Sequence, residues 1–147
     1  MQISINANRC EPSPMRKFHP LAIQAEKEGK KIYHLNIGQP DIATPPEFYK
    51  AVHTFSDKTL AYEASPGRPE LIEAIRHYYS TLGVPLEGND ILVTTGGSEA
   101  LLFTCLSILD PYTEVIIPEP YYPNYTTFVH AAGGVIRALP TNPWEGY

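Results

Sequence analysis

The stretch ILVTTGGSEALLFTCLSILDPYTEVIIPEPYYPNYTTFVHAAGGVIRALP, residues 91–140, decides the fold. Three short apolar runs in it are typical of buried strands: Ile91–Thr95, Glu114–Pro118 and Gly134–Pro140. Between them, Ala100–Leu109 and Tyr121–Gly133 are predicted to be helices. Alternating strands and helices predict an α/β fold with a parallel sheet and right-handed crossovers.

The residues before this stretch predict three further helices and one strand. Helical spacing of apolar residues runs over Ser13–Gly29, where Pro20 implies a kink or a late start. Prolines open the predicted helices Pro46–Phe55 and Pro69–Gly83. A short β-prone run over Ile32–Ile37 is predicted to be a strand.

Composition indicates a globular protein and excludes several classes of function. The chain has 147 residues, of which 43% are hydrophobic, and a net charge of −5. This charge disfavours binding to nucleic acid or to an anionic membrane surface. No signal peptide or membrane-spanning run is visible, and Cys10 and Cys105 lack metal-ligand spacing. We therefore expect a cytoplasmic protein with reduced thiols and no metal site.

The turn Gly96–Glu99 joins a predicted strand to a predicted helix. Free backbone N–H groups at a helix start, beside the hydroxyl of Ser98, can hold a phosphate group. The turn has neither the Walker spacing nor the GxGxxG pattern. The alternative is structural, because glycine and serine also serve a turn and its helix cap.

A second candidate site is the tyrosine-rich segment Pro118–Tyr125, which follows the next predicted strand. The carboxyl ends of parallel strands are where α/β sheets bind ligands, and a tyrosine ring can stack on a planar group. Alternatively, Tyr121 and Tyr125 pack a helix start onto the sheet. Tyr62, in a loop rich in proline and glycine, is either a hydroxyl donor to a ligand or an anchor of that loop.

No acid–base or nucleophilic centre can be assigned from the residues alone. The five histidines do not cluster, the carboxylates are scattered, and there is no GxSxG motif around Ser98. Acid–base catalysis therefore cannot be assigned from these residues.

Five segments in order resemble the N-terminal part of a fold-type I, pyridoxal-phosphate-dependent aminotransferase of class I/II, the aspartate aminotransferase-like group. They are SPMRKFHPLA, YHLNIGQPDIATPPE, SPGRPELIEAIRHYY with a tyrosine in the loop before it, residues 91–125, and AGGVIRALP. The resemblance implies part of a three-layer α/β/α large domain with a mostly parallel sheet. It assigns residues 1–57 to the small domain and substrate lid, and residues 58–147 to the first part of the large domain.

The resemblance also assigns cofactor-binding residues. Gly97, Ser98 and Glu99 match the turn whose N–H groups, with the Ser98 hydroxyl, bind the phosphate of pyridoxal 5'-phosphate. Tyr122 matches the aromatic residue that stacks on the pyridoxal ring, a position where tryptophan is frequent. Tyr62 matches a tyrosine that reaches the phosphate of the neighbouring subunit, which implies a homodimer with shared active sites.

The substrates implied by the resemblance are an amino acid and a 2-oxo acid, and Gly38 matches the backbone position that contacts the substrate α-carboxylate. The catalytic lysine that forms the Schiff base lies further along in this family. The chain's six lysines all precede the phosphate turn, in contexts that do not match: Lys17, Lys27, Lys30, Lys31, Lys50 and Lys58. We therefore expect a fragment of a longer enzyme, with no catalytic residue of its own and inactive alone.

Three alternatives remain open at this point. Fold-type I C–S lyases and aminocyclopropane-carboxylate synthase-like proteins share these N-terminal motifs. The chain could also be a non-catalytic aminotransferase-like module. A transcription regulator with such a domain is disfavoured, because a DNA-binding region would precede the first helix and Met1 opens almost directly onto it.

Overall fold

The computed structural model describes residues 2–146, which form two compact units. The unit that we call the sheet unit comprises the chain up to Gln24 and from Thr94 onward. The other, the helical unit, is Ala25–Val93. The candidate phosphate turn and the tyrosine-rich segment both belong to the sheet unit.

The sheet unit contains the predicted parallel pair of strands. Helix α5 (Gly97–Ile108) leads to strand β1 (Glu114–Glu119), and helix α6 (Asn124–Ala131) leads to strand β2 (Val135–Pro140). The strands pair in parallel, in a register that runs from Glu114 opposite Val135 to Glu119 opposite Pro140. The helix between the strands provides the crossover that a parallel pair needs. The predicted α/β class with a parallel sheet is confirmed.

A tightly packed corner joins α6 to β2. Gly133 has φ +88°, in the left-handed region that favours glycine after a helix. The N–H of Gly134 donates to the carbonyl of Val129, 2.9 Å away, and Val135 donates to the carbonyl of Thr113, also at 2.9 Å. Val129 is only 3% exposed. This corner is the best-packed part of the described chain.

A short N-terminal helix that the sequence did not predict packs against this corner. Helix α1 (Ile5–Asn8) is capped by the side chain of Ser4, which accepts from the N–H of Ala7. Arg9 Nη2 donates to the carbonyl of Gly134 at 2.8 Å, and the ring of His130 lies 3.1 Å from the carbonyl of Arg9. Residues 2–10 are therefore part of the sheet unit.

Three longer helices match the predictions in the first half of the chain. They are α2 (His19–Lys27), α3 (Pro46–Thr54) and α4 (Pro69–Thr81). Helix α2 begins at His19, one residue before Pro20, which is the late start that this proline implied. The residues Pro14–Arg16 form a short 3-10 turn in front of it. Helix α4 is tied to the following loop by Arg76, whose Nε donates to the carbonyl of Leu86 at 3.0 Å.

Two predicted strands are wrong. Neither Ile32–Ile37 nor Ile91–Thr95 forms a ladder with any residue among 2–146. The backbone at Ile91 is extended, with φ −120° and ψ 125°, but a strand also needs a neighbour that pairs with it. Val93 makes one backbone hydrogen bond instead, to the carbonyl of Pro66 at 2.9 Å. The apolar composition of these two runs predicted extended chain. Neither run has a neighbouring segment within residues 2–146 that pairs with it, so neither is a strand.

Apolar surface is widely exposed in both units. Val129 is the only large apolar residue of the described chain that is buried, whereas Leu35 and Trp144 are more than 90% exposed. Apolar surface on this scale is typical of regions that pack against further protein. No helix within residues 2–146 combines the length and the apolar character needed to cross a membrane.

Candidate phosphate-binding turn and tyrosine cluster

The turn before α5 contains a backbone conformation that favours glycine. Gly96 has φ +79° and ψ 172°, and it stands immediately before the first helical residue, Gly97. The N–H of Gly96 donates to the carbonyl of Thr94 at 2.8 Å, and the hydroxyl of Thr94 donates back to the carbonyl of Gly96 at 3.1 Å. These bonds fix the direction in which α5 begins.

The first N–H groups of α5 belong to Gly97, Ser98 and Glu99, which have no acceptor within the helix. They lie at the positive end of the helix dipole, where an anion is stabilised. Gly97 and Ser98 are exposed, so the approach from solvent is open. The turn can therefore offer two or three N–H donors and a hydroxyl to one phosphate.

Gly97 is not explained by the packing of the described chain. A β-carbon built on it would meet no atom within 4 Å, and its backbone is helical. Glycine favours a helix less than alanine does, and no contact within the described chain requires it here. The space that the missing side chain leaves lies at the free N–H groups, which fits the approach of a phosphate.

The side chain of Glu99 stabilises the turn itself. Its Oε2 accepts from the backbone N–H of Thr95 at 2.5 Å, so the carboxylate reaches back before the helix start. The family resemblance assigns only the backbone N–H of Glu99, so this side-chain contact adds a second role. Glutamate is common in the first turn of a helix, but a bond that reaches four residues back, to a residue before the N-cap Gly96, follows from no spacing rule.

The three tyrosines after β1 form one aromatic cluster. The rings of Tyr121 and Tyr125 are stacked, with centroids 6.4 Å apart and planes 6° apart. The ring of Tyr122 meets Tyr125 edge-on, at 5.8 Å and 81°. Tyr122 is 46% exposed, whereas its two neighbours are less exposed. Packing thus accounts for Tyr121 and Tyr125, and Tyr122 is the ring left accessible to a ligand.

Asn124, the first residue of α6, contacts the accessible tyrosine. Its Nδ2 donates to the hydroxyl oxygen of Tyr122 at 3.0 Å. Sequence reasoning missed this residue. The only signal for it was a polar side chain two positions after the proposed stacking residue, which is too common a pattern to predict a contact.

Comparison with known proteins decides the family. The family model described as "Aminotransferase class I and II" matches residues 30–147. The chain belongs to this family. The resemblance proposed from the sequence is therefore confirmed.

Individual aminotransferases match most of the chain. The aspartate/prephenate aminotransferase of Thermus thermophilus is 31% identical over 147 residues, which cover 99% of this chain and 38% of that protein. The (5-formylfuran-3-yl)methyl phosphate transaminase of Methanocaldococcus jannaschii is 36% identical over 115 residues, 77% of this chain and 31% of that protein. The chain thus spans less than two-fifths of either relative.

A solved aminotransferase has the same fold over this region. A double mutant of Thermus thermophilus aspartate aminotransferase superposes with a TM-score of 0.91 at 31% identity, covering 99% of this chain and 39% of that one. The predicted class, the N-terminal part of the pyridoxal-phosphate-dependent transferase fold, is confirmed as a partial α/β fold.

Two residues assigned by the aminotransferase resemblance lie in the helical unit. The side chain of Tyr62 is fully exposed, and Gly38 is in an exposed loop where a β-carbon would meet no atom within 4 Å. Neither residue has a role in the packing of that unit. Their assignments to a partner's phosphate and to a substrate carboxylate stay predictions.

Residues 2–146 show no metal or thiol centre. No group of three potential metal ligands occurs among residues 2–146. Both cysteines are free, and partial burial raises the pKa of the Cys105 thiol in α5 above its ordinary value. The shift disfavours the thiolate form that a nucleophile or metal ligand needs.

Proposed function

We propose that this chain is the cofactor-holding part of a pyridoxal-phosphate-dependent aminotransferase, which transfers an amino group between an amino acid and a 2-oxo acid. The observation that carries the proposal is the start of α5, where an unexplained glycine leaves free N–H groups open beside the hydroxyl of Ser98. The exposed ring of Tyr122 lies in the same unit, and α5 packs against α6.

The residues of the turn would bind the cofactor phosphate. The N–H groups of Gly97, Ser98 and Glu99 and the hydroxyl of Ser98 are donors, and the helix dipole adds a favourable field for a dianion. The carboxylate of Glu99 accepts from the N–H of Thr95 and would stabilise the turn that presents these donors. Tyr122 would stack on the cofactor ring. Pyridoxal phosphate, when bound, supplies an electron-withdrawing ring that accepts the negative charge developing on the substrate's α-carbon.

The substrate and the partner subunit complete the proposal. Gly38 would offer its backbone to the substrate α-carboxylate, and Tyr62 would reach the phosphate held by a second copy in a homodimer. The full exposure of Tyr62 supports this role, because its own unit gives the side chain no packing partner. Residues 1–57 would then contribute to the small domain and lid, and residues 58–147 to the large domain. A cytoplasmic location fits the two free thiols.

The Schiff-base lysine would come from a part of the enzyme beyond the region matched here. Each of the six lysines lies before the phosphate turn. The chain alone would therefore hold the cofactor without supplying the group that moves the proton. The extensive exposed apolar surface supports packing against the rest of such an enzyme.

The test uses the full-length protein, purified without cofactor and titrated with pyridoxal phosphate. We expect one cofactor bound per subunit and transfer of an amino group between paired amino and 2-oxo acids, measured by formation of the new oxo acid. Release of pyruvate from cystathionine without any transamination would instead identify a C–S lyase. Borohydride reduction and mass measurement then locate the lysine that carries the cofactor. Stoichiometric attachment to one of the six lysines of this chain would contradict the proposal that the Schiff-base lysine lies elsewhere in the enzyme.

A further inference from the structure

A stacking ring is useful only if two torsions are fixed. In Tyr122, χ1 sets the direction of the axis that runs from Cβ through the ring to the hydroxyl oxygen, and χ2 sets the rotation of the ring plane about that axis. Because the side chain is 46% exposed, general packing restrains it only in part. Specific contacts must supply the rest.

Asn124 fixes the axis of the ring. Its Nδ2 donates to the hydroxyl oxygen of Tyr122 at 3.0 Å, and that oxygen lies on the χ2 axis. The hydrogen bond therefore restrains the direction of the axis and leaves rotation about it free. It also leaves the phenolic proton available to another acceptor, because the amide is the donor.

Tyr125 fixes the plane of the ring. Its ring meets that of Tyr122 at 5.8 Å between centroids and 81° between planes, an aromatic contact that favours one setting of the Tyr122 ring plane. Tyr125 is itself held by stacking on Tyr121 and by its N–H, which donates to the carbonyl of Tyr122 at 3.0 Å. The two restraints are thus of different kinds and act on different torsions.

The side chain of Asn124 is not engaged in capping its helix. The residue before α6 is Pro123, and no side-chain cap hydrogen bond is formed at this end. Asn124 stands inside the first turn, where alanine is tolerated well. Its contact with Tyr122 therefore explains the asparagine better than helix formation does.

We propose that Asn124 is a positioning residue, which orients the Tyr122 ring for stacking on the cofactor through the hydrogen bond to the tyrosine hydroxyl. The proposal rests on the proposed function, since it concerns the same site. It makes the hydroxyl of Tyr122 the reason why tyrosine works here in place of a larger aromatic residue: the hydroxyl gives the ring an anchor point.

A double-mutant cycle in the full-length enzyme tests this. Asn124→Ala removes the donor, Tyr122→Phe removes the acceptor and keeps the ring, and the third variant combines both. Two quantities are measured: the dissociation constant for pyridoxal phosphate and the visible circular dichroism per bound cofactor. Since the cofactor is achiral, its visible dichroism arises only from fixed asymmetric surroundings.

We expect Asn124→Ala to weaken cofactor binding about threefold, in line with one partly exposed neutral hydrogen bond, and to lower the visible dichroism. In the Tyr122→Phe background the same substitution should change neither quantity. An undiminished effect of Asn124→Ala in that background, or no effect in the unaltered enzyme, would overturn the proposal. Asn89→Ala, at an exposed asparagine in the helical unit, is the matched control and should change nothing.

The failure of this proposal is distinguishable from failure of the proposed function. If the unaltered enzyme binds no pyridoxal phosphate, both fall. If it binds the cofactor with a visible dichroism that Asn124→Ala leaves unchanged, only the positioning role falls. Should Asn124→Ala not fold, Asn124→Ser, whose hydroxyl is too short to replace the amide contact, takes its place in the same cycle.

Discussion

Two glycines of the sheet unit stand at opposite extremes of packing. A β-carbon on Gly134 would lie 2.9 Å from Val129 Cγ1, 3.0 Å from Leu109 Cδ1 and 3.3 Å from the carbonyl of Thr113. A β-carbon on Gly97 would meet nothing within 4 Å. The first glycine is required by its neighbours in the fold, and the second is required by nothing in the described chain.

This difference separates residues that build the fold from residues that serve a ligand. At the packed corner, sequence, backbone and side-chain packing give one consistent reason for glycine. At the start of α5 the described chain would accept alanine, and a ligand that approaches the N–H groups closely would give glycine a purpose. Substitutions at the two sites should therefore affect different measurements.

The largest effect is expected at the packed corner. Gly134→Ala should lower the free energy of unfolding by about 2–3 kcal/mol, because the new methyl group must displace two side chains and a carbonyl in a well-packed site. The measurement is denaturant unfolding of the full-length protein. A loss below about 0.5 kcal/mol, the range of ordinary surface substitutions, would show that the packed corner relaxes around the methyl group. Packing would then require glycine at position 134 no more than at position 97.

A comparable effect, on binding instead of stability, is expected at Ser98. Ser98→Ala should weaken pyridoxal phosphate binding by about 10-fold or more, because a hydrogen bond to a charged group contributes roughly 1.5–3 kcal/mol. Fluorescence titration of the cofactor-free enzyme measures it. Ser107→Ala is the control on the same helix, since the Ser107 hydroxyl bonds only to the carbonyl of Phe103 at 2.8 Å. Equal effects of the two substitutions would remove Ser98 from the phosphate site.

The sharpest form of the comparison is Gly97→Ala. Because alanine favours a helix over glycine, the free energy of unfolding should rise by up to about 1 kcal/mol. Cofactor binding should weaken at the same time, since the methyl group enters the space in front of the N–H groups. Parallel measurement of unfolding and of cofactor affinity checks both signs. A stabilised enzyme with unchanged affinity would show that the phosphate does not approach Gly97.

The elements that the sequence predicted well are those whose stabilising contacts are local. Helix α4 was visible because its apolar residues recur every three and four positions, and the β1–α6–β2 unit because two apolar runs flank a helix of crossover length. The run Ile32–Ile37 has the same local character as β1, yet it forms no ladder within the described chain. Strand propensity describes one chain segment, whereas pairing depends on a second segment that local patterns do not reveal.

For the candidate site, too, local sequence patterns suggested the backbone features and not the side-chain contacts. Two glycines and a hydroxyl at a predicted helix start suggested a phosphate turn, because the N–H groups at a helix start are free, but a purely structural turn and helix cap remained the alternative. The bond between Asn124 and Tyr122 depends on side-chain directions, which no spacing rule fixes. The bond from the N–H of Thr95 to Glu99 is of the same kind, since a carboxylate in a first helical turn is a common pattern whose partner the spacing does not fix.

The smallest effect is expected from an ion pair at the edge of the packed corner. Arg137 on β2 donates from Nε to Glu114 Oε1 on β1 at 2.8 Å. This hydrogen bond, and with it the charge of Arg137, holds the pKa of the Glu114 carboxyl below its ordinary value. A lowered folded-state pKa means that the pair's contribution to stability is present above the ordinary glutamate pKa and is lost as the pH falls through the lower, folded-state pKa.

Both groups of the pair are exposed to solvent, so the corner should keep its stability without it. Arg137→Met should raise the titration midpoint of the Glu114 carboxyl, followed by carbon NMR, toward the ordinary value. The thermal midpoint at neutral pH should stay unchanged within error, in contrast to Gly134→Ala at the same corner. A drop as large as that of Gly134→Ala would mean that charge, and not the close approach of Gly134 to Val129 and Leu109, holds β1 and β2 together.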